Sequence, residues 1–167
     1  VRRFLNFLDE INNWTGRIVS WTIVAISLLV VCEVILRRFL GSPTIWNFEV
    51  VKQLYGFYFM MMAGYTLLHR GHVAIDLVHE KLRPRHQALL DVISYLIFFF
   101  PFWSIMLWEG LSFASTSWQM KETSWSVFAP PLYPIKTVIP VAALLLLIQG
   151  FSIFARQLYV VAKGERL

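Results

Sequence analysis

The sequence predicts an all-α membrane protein: four transmembrane helices, amphipathic interfacial helices beside them, and both termini in the cytoplasm. Three observations carry that expectation: an oily composition, four long apolar stretches, and an uneven placement of Lys and Arg along the chain. Of the 167 residues, 57% are hydrophobic and 15% charged, and the mean hydropathy is +0.60. An ordinary soluble domain is about half apolar and about a quarter charged. That contrast excludes a soluble enzyme. With 8 Gly, 7 Pro and the lone thiol of Cys32, it also excludes a disordered chain, a collagen-like fibre and a disulfide scaffold. A net charge of +5 would raise nucleic acid as a partner of a soluble protein. In a membrane protein the position of each cation matters more than the sum, and no nucleic acid is expected.

The four stretches are Ile18 to Leu36, which carries only Glu33, and Gln53 to Leu68, Val92 to Trp108 and Thr137 to Ala155, which carry no charge. A helix rises about 1.5 Å per residue, so roughly 20 residues cross a hydrocarbon core about 30 Å thick. Lipid offers the backbone no hydrogen-bond partner, which leaves helices or a closed barrel. Runs such as SYLIFFFPF and ALLLLI lack the alternation of barrel strands, so helices are expected. Four crossings put both ends on one side. Ten cations lie on that side: Arg2, Arg3 and Arg17, the 69–88 loop with Arg70, Lys81, Arg83 and Arg85, and the tail with Arg156, Lys163 and Arg166. Arg37, Arg38, Lys52, Lys121 and Lys136 lie opposite. The excess makes the termini cytoplasmic, with the Arg37-Arg38 pair against the rule.

Taken in order, residues 1–16 place Phe4, Leu5, Phe7, Leu8, Ile11 and Trp14 at spacings of three and four. This is the pattern of an amphipathic helix lying in the cytoplasmic interface. Span one covers 18–38. Its apolar run is too long for a cleavable signal peptide and no small-residue cleavage pattern follows, so it is expected to stay as an anchor. Gly41-Ser42-Pro43-Thr44 then breaks the helix, and Thr44 or Asn47 is suited to cap the next one. An outer interfacial helix over 44–52 holds Trp46 and Phe48 at headgroup level, Glu49 in its first turn and Lys52 behind. It runs into span two, 53–69. Span three covers 89–110 and extends to about residue 120; Pro101 within it predicts a kink. Pro130, Pro131 and Pro134 interrupt the second outer connection. Span four covers 135–158, with Lys136 near the outer interface.

Carriers keep ionisable groups or broken helices near the membrane midplane. Glu33 lies within a turn of the outer end and has Arg37 as its i+4 neighbour, which reads as an interfacial ion pair. Asp91 sits at the cytoplasmic mouth of span three. Gln149, beside Gly150, is placed for close helix contact and an interhelical hydrogen bond. Gly56 and Gly64 on span two are further close-approach points. His69, His72, His79 and His86 crowd into one cytoplasmic connection, outside the spans where a transmembrane haem is held. His72 and Asp76 stand at i,i+4, but a metal site needs three or four ligands, so a solvated polar cluster is the simpler reading. No cofactor and no enzymatic constellation is expected.

The order of landmarks resembles the small, four-helix, DctQ-like membrane subunit of TRAP (tripartite ATP-independent periplasmic) transporters. The residues that carry the likeness are Arg37-Arg38-Phe39, Ser42-Pro43, Trp46 with Glu49, and Arg70-Gly71-His72 leading to Asp76. Pro134-Ile135-Lys136, Pro140 and Gln149-Gly150 follow. The resemblance implies a non-catalytic accessory in the bacterial inner membrane that packs against the static scaffold of a large multi-span subunit. That large subunit moves organic acids on a sodium gradient, and a periplasmic substrate-binding protein delivers them. Arg37, Arg38, Trp46, Glu49, His72, Asp76, Gln149 and Gly150 would then be framework or interface residues. Arg37 and Arg38 would either dock an acidic surface of the delivery protein or pair with Glu33 and Glu49. Two other classes compete: a self-sufficient four-helix proton-coupled exporter using Glu33, and a haem-binding membrane anchor.

Overall fold

A computed structural model describes residues 2–69, 71 and 84–163. Its elements are helices α1 (Arg2–Ser20), α2 (Thr22–Phe39), α3 (Asn47–Leu68), α4 (Pro84–Ser94), α5 (Phe100–Met120) and α6 (Tyr133–Lys163). A π-helical segment, Tyr95–Phe99, joins α4 to α5. The all-helical class is as the sequence predicts. Three stretches are long and apolar enough to cross a membrane: Arg2–Phe39, His86–Met120 and Tyr133–Ala162. Helix α3 has 22 residues, about 33 Å, but Lys52, Gln53, Tyr55, Tyr58 and Tyr65 make it less apolar than the other three.

Helix α6 is the centre. It packs against α5, α3, α4 and α1, and contributes the buried residues Ala142, Ala143, Leu145, Leu146, Gln149, Ser152 and Val160. Lipid is as apolar as leucine, so close approach and polar bonds hold such helices together. Two approaches on α6 depend on glycine. A Cβ on Gly110 of α5 would sit 3.3 Å from Ile139 and 3.4 Å from Pro140, the proline inside α6. A Cβ on Gly150 would strike the ring of Phe99.

Pro101 stands near the start of α5. Its ring would clash with the carbonyl four residues back and removes one helical bond. The wide Tyr95–Phe99 turn immediately before it is where the ladder changes, with the Phe100 N–H donating to the Tyr95 carbonyl. A π-bulge in place of an open kink is a recognised answer to such a conflict.

Helix α1 is separated from α2 by Trp21 alone, and its inward stripe is Leu5, Asn12, Gly16 and Val19. Phe4, Phe7, Trp14 and Ile18 face outward. The inward polar residues find partners on α6, while the aromatics lie on the exposed face. Helix α2 touches chiefly α3 and α1, and apart from buried Ile26 it exposes most of its apolar side chains. The outer helix expected over 44–52 and the span after it form one helix, α3. Its N-cap residue is Trp46, with no side-chain cap bond.

A methyl at Gly16 would overlap Cβ and Cγ of Tyr65, atoms too close to the α3 backbone to swing away. Gly16→Ala is expected to lower stability by about 1–3 kcal/mol, and adding Tyr65→Ala should recover part of the loss. Thermal melting of the detergent-solubilised single and double variants checks this.

Candidate functional site

Two polar clusters pin the helices, one at the end nearest the chain termini and one at the far end. At the terminal end α1 and α6 run antiparallel and exchange bonds along their length. The Arg156 guanidinium donates to Asn6 Oδ1 (3.0 Å) and to Asp9 Oδ2 (2.7 Å). Ser152 Oγ donates to Asp9 Oδ1 at 2.6 Å, and Gln149 Nε2 donates to the same oxygen at 3.0 Å. Asn12 Nδ2 donates to Gln149 Oε1 at 3.1 Å and to the Leu145 carbonyl at 3.3 Å. Gln149 and Asn12 are each 1% exposed. Their mutual pairing matters because a buried amide left without partners costs several kcal/mol in an apolar medium. A further bond, Gln157 Nε2 to Asp91 Oδ2 at 2.9 Å, ties α4 to α6.

At the far end Glu33 of α2 collects four donors. Arg37 and the Thr44 N–H reach Oε1, each at 3.3 Å, while Thr44 Oγ1 and Asn47 Nδ2 reach Oε2. Asn47 Nδ2 also donates to the Leu29 carbonyl at 3.0 Å. Thr44 and Asn47, expected as helix caps, serve this carboxylate instead, since a charged acceptor makes stronger bonds than a backbone one. Glu49, 7% exposed, pairs with Lys52 at 2.9 Å and accepts a bond from Ser124 Oγ at 3.2 Å. Gln53 Nε2 donates to the Pro131 carbonyl at 3.3 Å. These two bonds strap the α5–α6 connection onto α3.

That connection is a narrow hairpin. Lys121, in the left-handed region (φ 47), ends α5, and Thr123 and Pro131 form an isolated antiparallel bridge. Glu122 accepts bonds from Lys136 and from Ser117 Oγ (2.8 Å). Lys136 Nζ also lies 4.0 Å from the centroid of the Phe113 ring. The Lys136 ammonium, followed by the Ser117 hydroxyl, holds the Glu122 carboxyl below its ordinary value. Beyond the bridge, Trp125 and Val127 project fully exposed.

The sequence-predicted residues therefore separate. Arg37 pairs with Glu33, as the i+4 spacing suggests, and its side chain remains 70% exposed. Arg38 is exposed. Trp46 is exposed, and Glu49 is buried with Lys52 and not with either arginine. Gln149 and Gly150 lie in the α6 core. His72 and Asp76 lie outside the described residues. Asp9, Asn12, Ser152 and Arg156 were not singled out by sequence reasoning; the signal available was the polar and small series Asp9, Asn12, Gly16 at helical spacing. Glu109 was also passed over. It is exposed on α5 beside Gly110, which faces Pro140. Among the described residues no three His, Cys, Asp or Glu side chains gather to hold a metal ion. The clusters are built to join helices.

Comparison with known families identifies what such a helix assembly belongs to. Residues 26–159 match the model for the DctQ component of tripartite ATP-independent periplasmic transporters. This chain belongs to that family. A curated relative is the sialic acid TRAP transporter permease protein SiaT of Haemophilus influenzae (strain 86-028NP), 23% identical over 136 residues. The alignment covers 78% of this chain but only 22% of that protein, so the chain spans about a fifth of its relative's length. As a DctQ-family TRAP subunit with apolar helices, the chain is a membrane protein of the bacterial inner membrane.

Two outcomes test these clusters. Gln149→Leu removes one of the two acceptors of the Asn12 amide and one donor from Asp9, and is expected to cost about 1–3 kcal/mol, read as a lower melting temperature in detergent. Glu122, whose folded-state value is depressed, contributes stability that is complete above its unfolded value and lost as pH falls through the folded one. Wild type should therefore lose melting temperature on acidification below about pH 4.5 more steeply than Glu122→Gln, which should start lower at neutral pH.

Proposed function

We propose that this chain is the non-catalytic small subunit of a sodium-coupled, binding-protein-dependent TRAP transporter for organic acids, bracing the scaffold of the large transport subunit. The observation that carries the reading is the family match over 26–159, joined to the way the polar side chains are spent. Both polar clusters bond helix to helix, as a static brace requires. Glu33, which a self-sufficient exporter would need to protonate and release, is held by four donors. Each turnover would have to break those bonds.

In this reading α3 is the fourth crossing and both termini are cytoplasmic, supported by the Lys and Arg distribution. The exposed apolar faces of α2 and α5 are the surfaces offered to lipid and to the large subunit. Glu109, an acidic group among the exposed Ile105, Trp108 and Phe113, suits a cation on that partner. Trp46 and Phe48 form an exposed aromatic edge at the start of α3, and the Trp125–Val127 tip offers a contact for the delivery protein. Glu49 acts internally, by holding the hairpin.

The chain should co-purify in mild detergent with a large multi-span permease, and deleting either should abolish uptake. Trp46→Ala combined with Glu109→Ala should lower recovery of the complex about tenfold while the single chain melts as wild type. Solute uptake by the purified chain alone in sealed vesicles would overturn the reading.

A further inference from the structure

Between α2 and α3, at the far end of the bundle, lies an open cleft of about 610 Å³. Its walls are the side chains of Val30, Val34, Phe48 and Val51, and its mouth carries Arg37 and Arg38. That size falls within the range of ligand pockets, about 300–1,000 Å³. Val30 and Val34 are followed one turn later on α2 by Arg37 and Arg38, so a strip of aliphatic carbon gives way to guanidinium along the same helix.

The charge at the mouth is unbalanced. Glu33 also lines the cleft, but its oxygens already accept from Thr44, Asn47 and Arg37. Arg37 spends one nitrogen on that bond and keeps its remaining N–H groups, with its side chain mostly exposed. Arg38 makes no ion pair among the described residues. Two cations against one carboxylate leave a net charge of +1. Guanidinium groups match phosphate oxygens in a bidentate fork, and hydrocarbon fits the strip below.

We propose that this cleft is a binding site for an anionic phospholipid, with its phosphate held by Arg37 and Arg38 and one acyl chain laid along Val30, Val34, Phe48 and Val51. A monoanionic headgroup neutralises the mouth. In the orientation proposed above, a lipid phosphate bound there also supplies the counter-charge for a twin arginine on the side of the membrane where the cation rule disfavours it. Only that point rests on the proposed orientation; the cleft is formed by this chain alone.

The test uses the purified full chain, stripped of lipid in detergent and then titrated with phosphatidylglycerol, with diacylglycerol of the same acyl composition, or with inorganic phosphate, read by native mass spectrometry and thermal melting. Phosphatidylglycerol should remain bound and raise the melting temperature, whereas diacylglycerol and inorganic phosphate should do neither. The double variant Arg37→Gln with Arg38→Gln should weaken phosphatidylglycerol binding about tenfold. Val34→Trp, which fills the strip and leaves both arginines, should reduce retention as well. Equal retention of phosphatidylglycerol and diacylglycerol, inorganic phosphate stabilising as well as the lipid, or undiminished phosphatidylglycerol binding in the double variant would each overturn the proposal. If the double variant melts poorly before lipid is added, Arg38→Gln alone, which breaks no bond described in the protein, carries the same comparison.

Discussion

The Gln149 side chain is the junction on which the rest of the assembly depends. Its carbonyl oxygen accepts from Asn12 and its nitrogen donates to Asp9, so one amide in the central helix holds α1 at two successive turns. Around it, Ser152 and Arg156 complete the shell of Asp9. In water such bonds would exchange with solvent and stabilise little. In an apolar surrounding the alternative is an unpaired amide, and helix association without a hydrophobic drive rests on this difference together with close packing. Gly64 belongs to the same arrangement, because any Cβ there would collide with Asn12.

Much of the architecture was legible, because lipid imposes a simple requirement on sequence. Long uncharged runs must be helices, and three of them emerge as membrane-length helices. The Glu33–Arg37 pair was also legible, since i+4 spacing on one helix needs no tertiary knowledge. The partners of α1 were not. Its pattern separates an aromatic face from a polar one, and Phe4, Phe7 and Trp14 do lie on the exposed side. Spacing alone does not announce that Asp9 and Asn12 meet Gln149, Ser152 and Arg156 of α6, at the other end of the chain. Periodicity gives the angle between two faces but not which residues the polar one meets.

The far end illustrates the same limit at shorter range. Thr44 and Asn47 sit where a local rule makes them helix caps. Glu33, 11 and 14 residues earlier in the chain, takes both side chains. Glu49 likewise follows the first-turn rule for an acidic residue, yet the bond to Ser124 reaches 75 positions along the sequence. Glu122 and Lys136 belong to the two sides of the hairpin, and nothing in local spacing announces their meeting. Short-range chemistry identified residues worth watching; distant partners decided their work.

The strap across the hairpin has a practical consequence. Glu49 and Gln53 grip it near its base, at Ser124 and Pro131, while Trp125 and Val127 stand clear of every helix. An epitope or fluorescent reporter spliced between those two positions would leave the gripped base untouched. The same reporter moved to Thr123 would prise the base apart and leave the start of α3 held by Asn47 alone among these bonds.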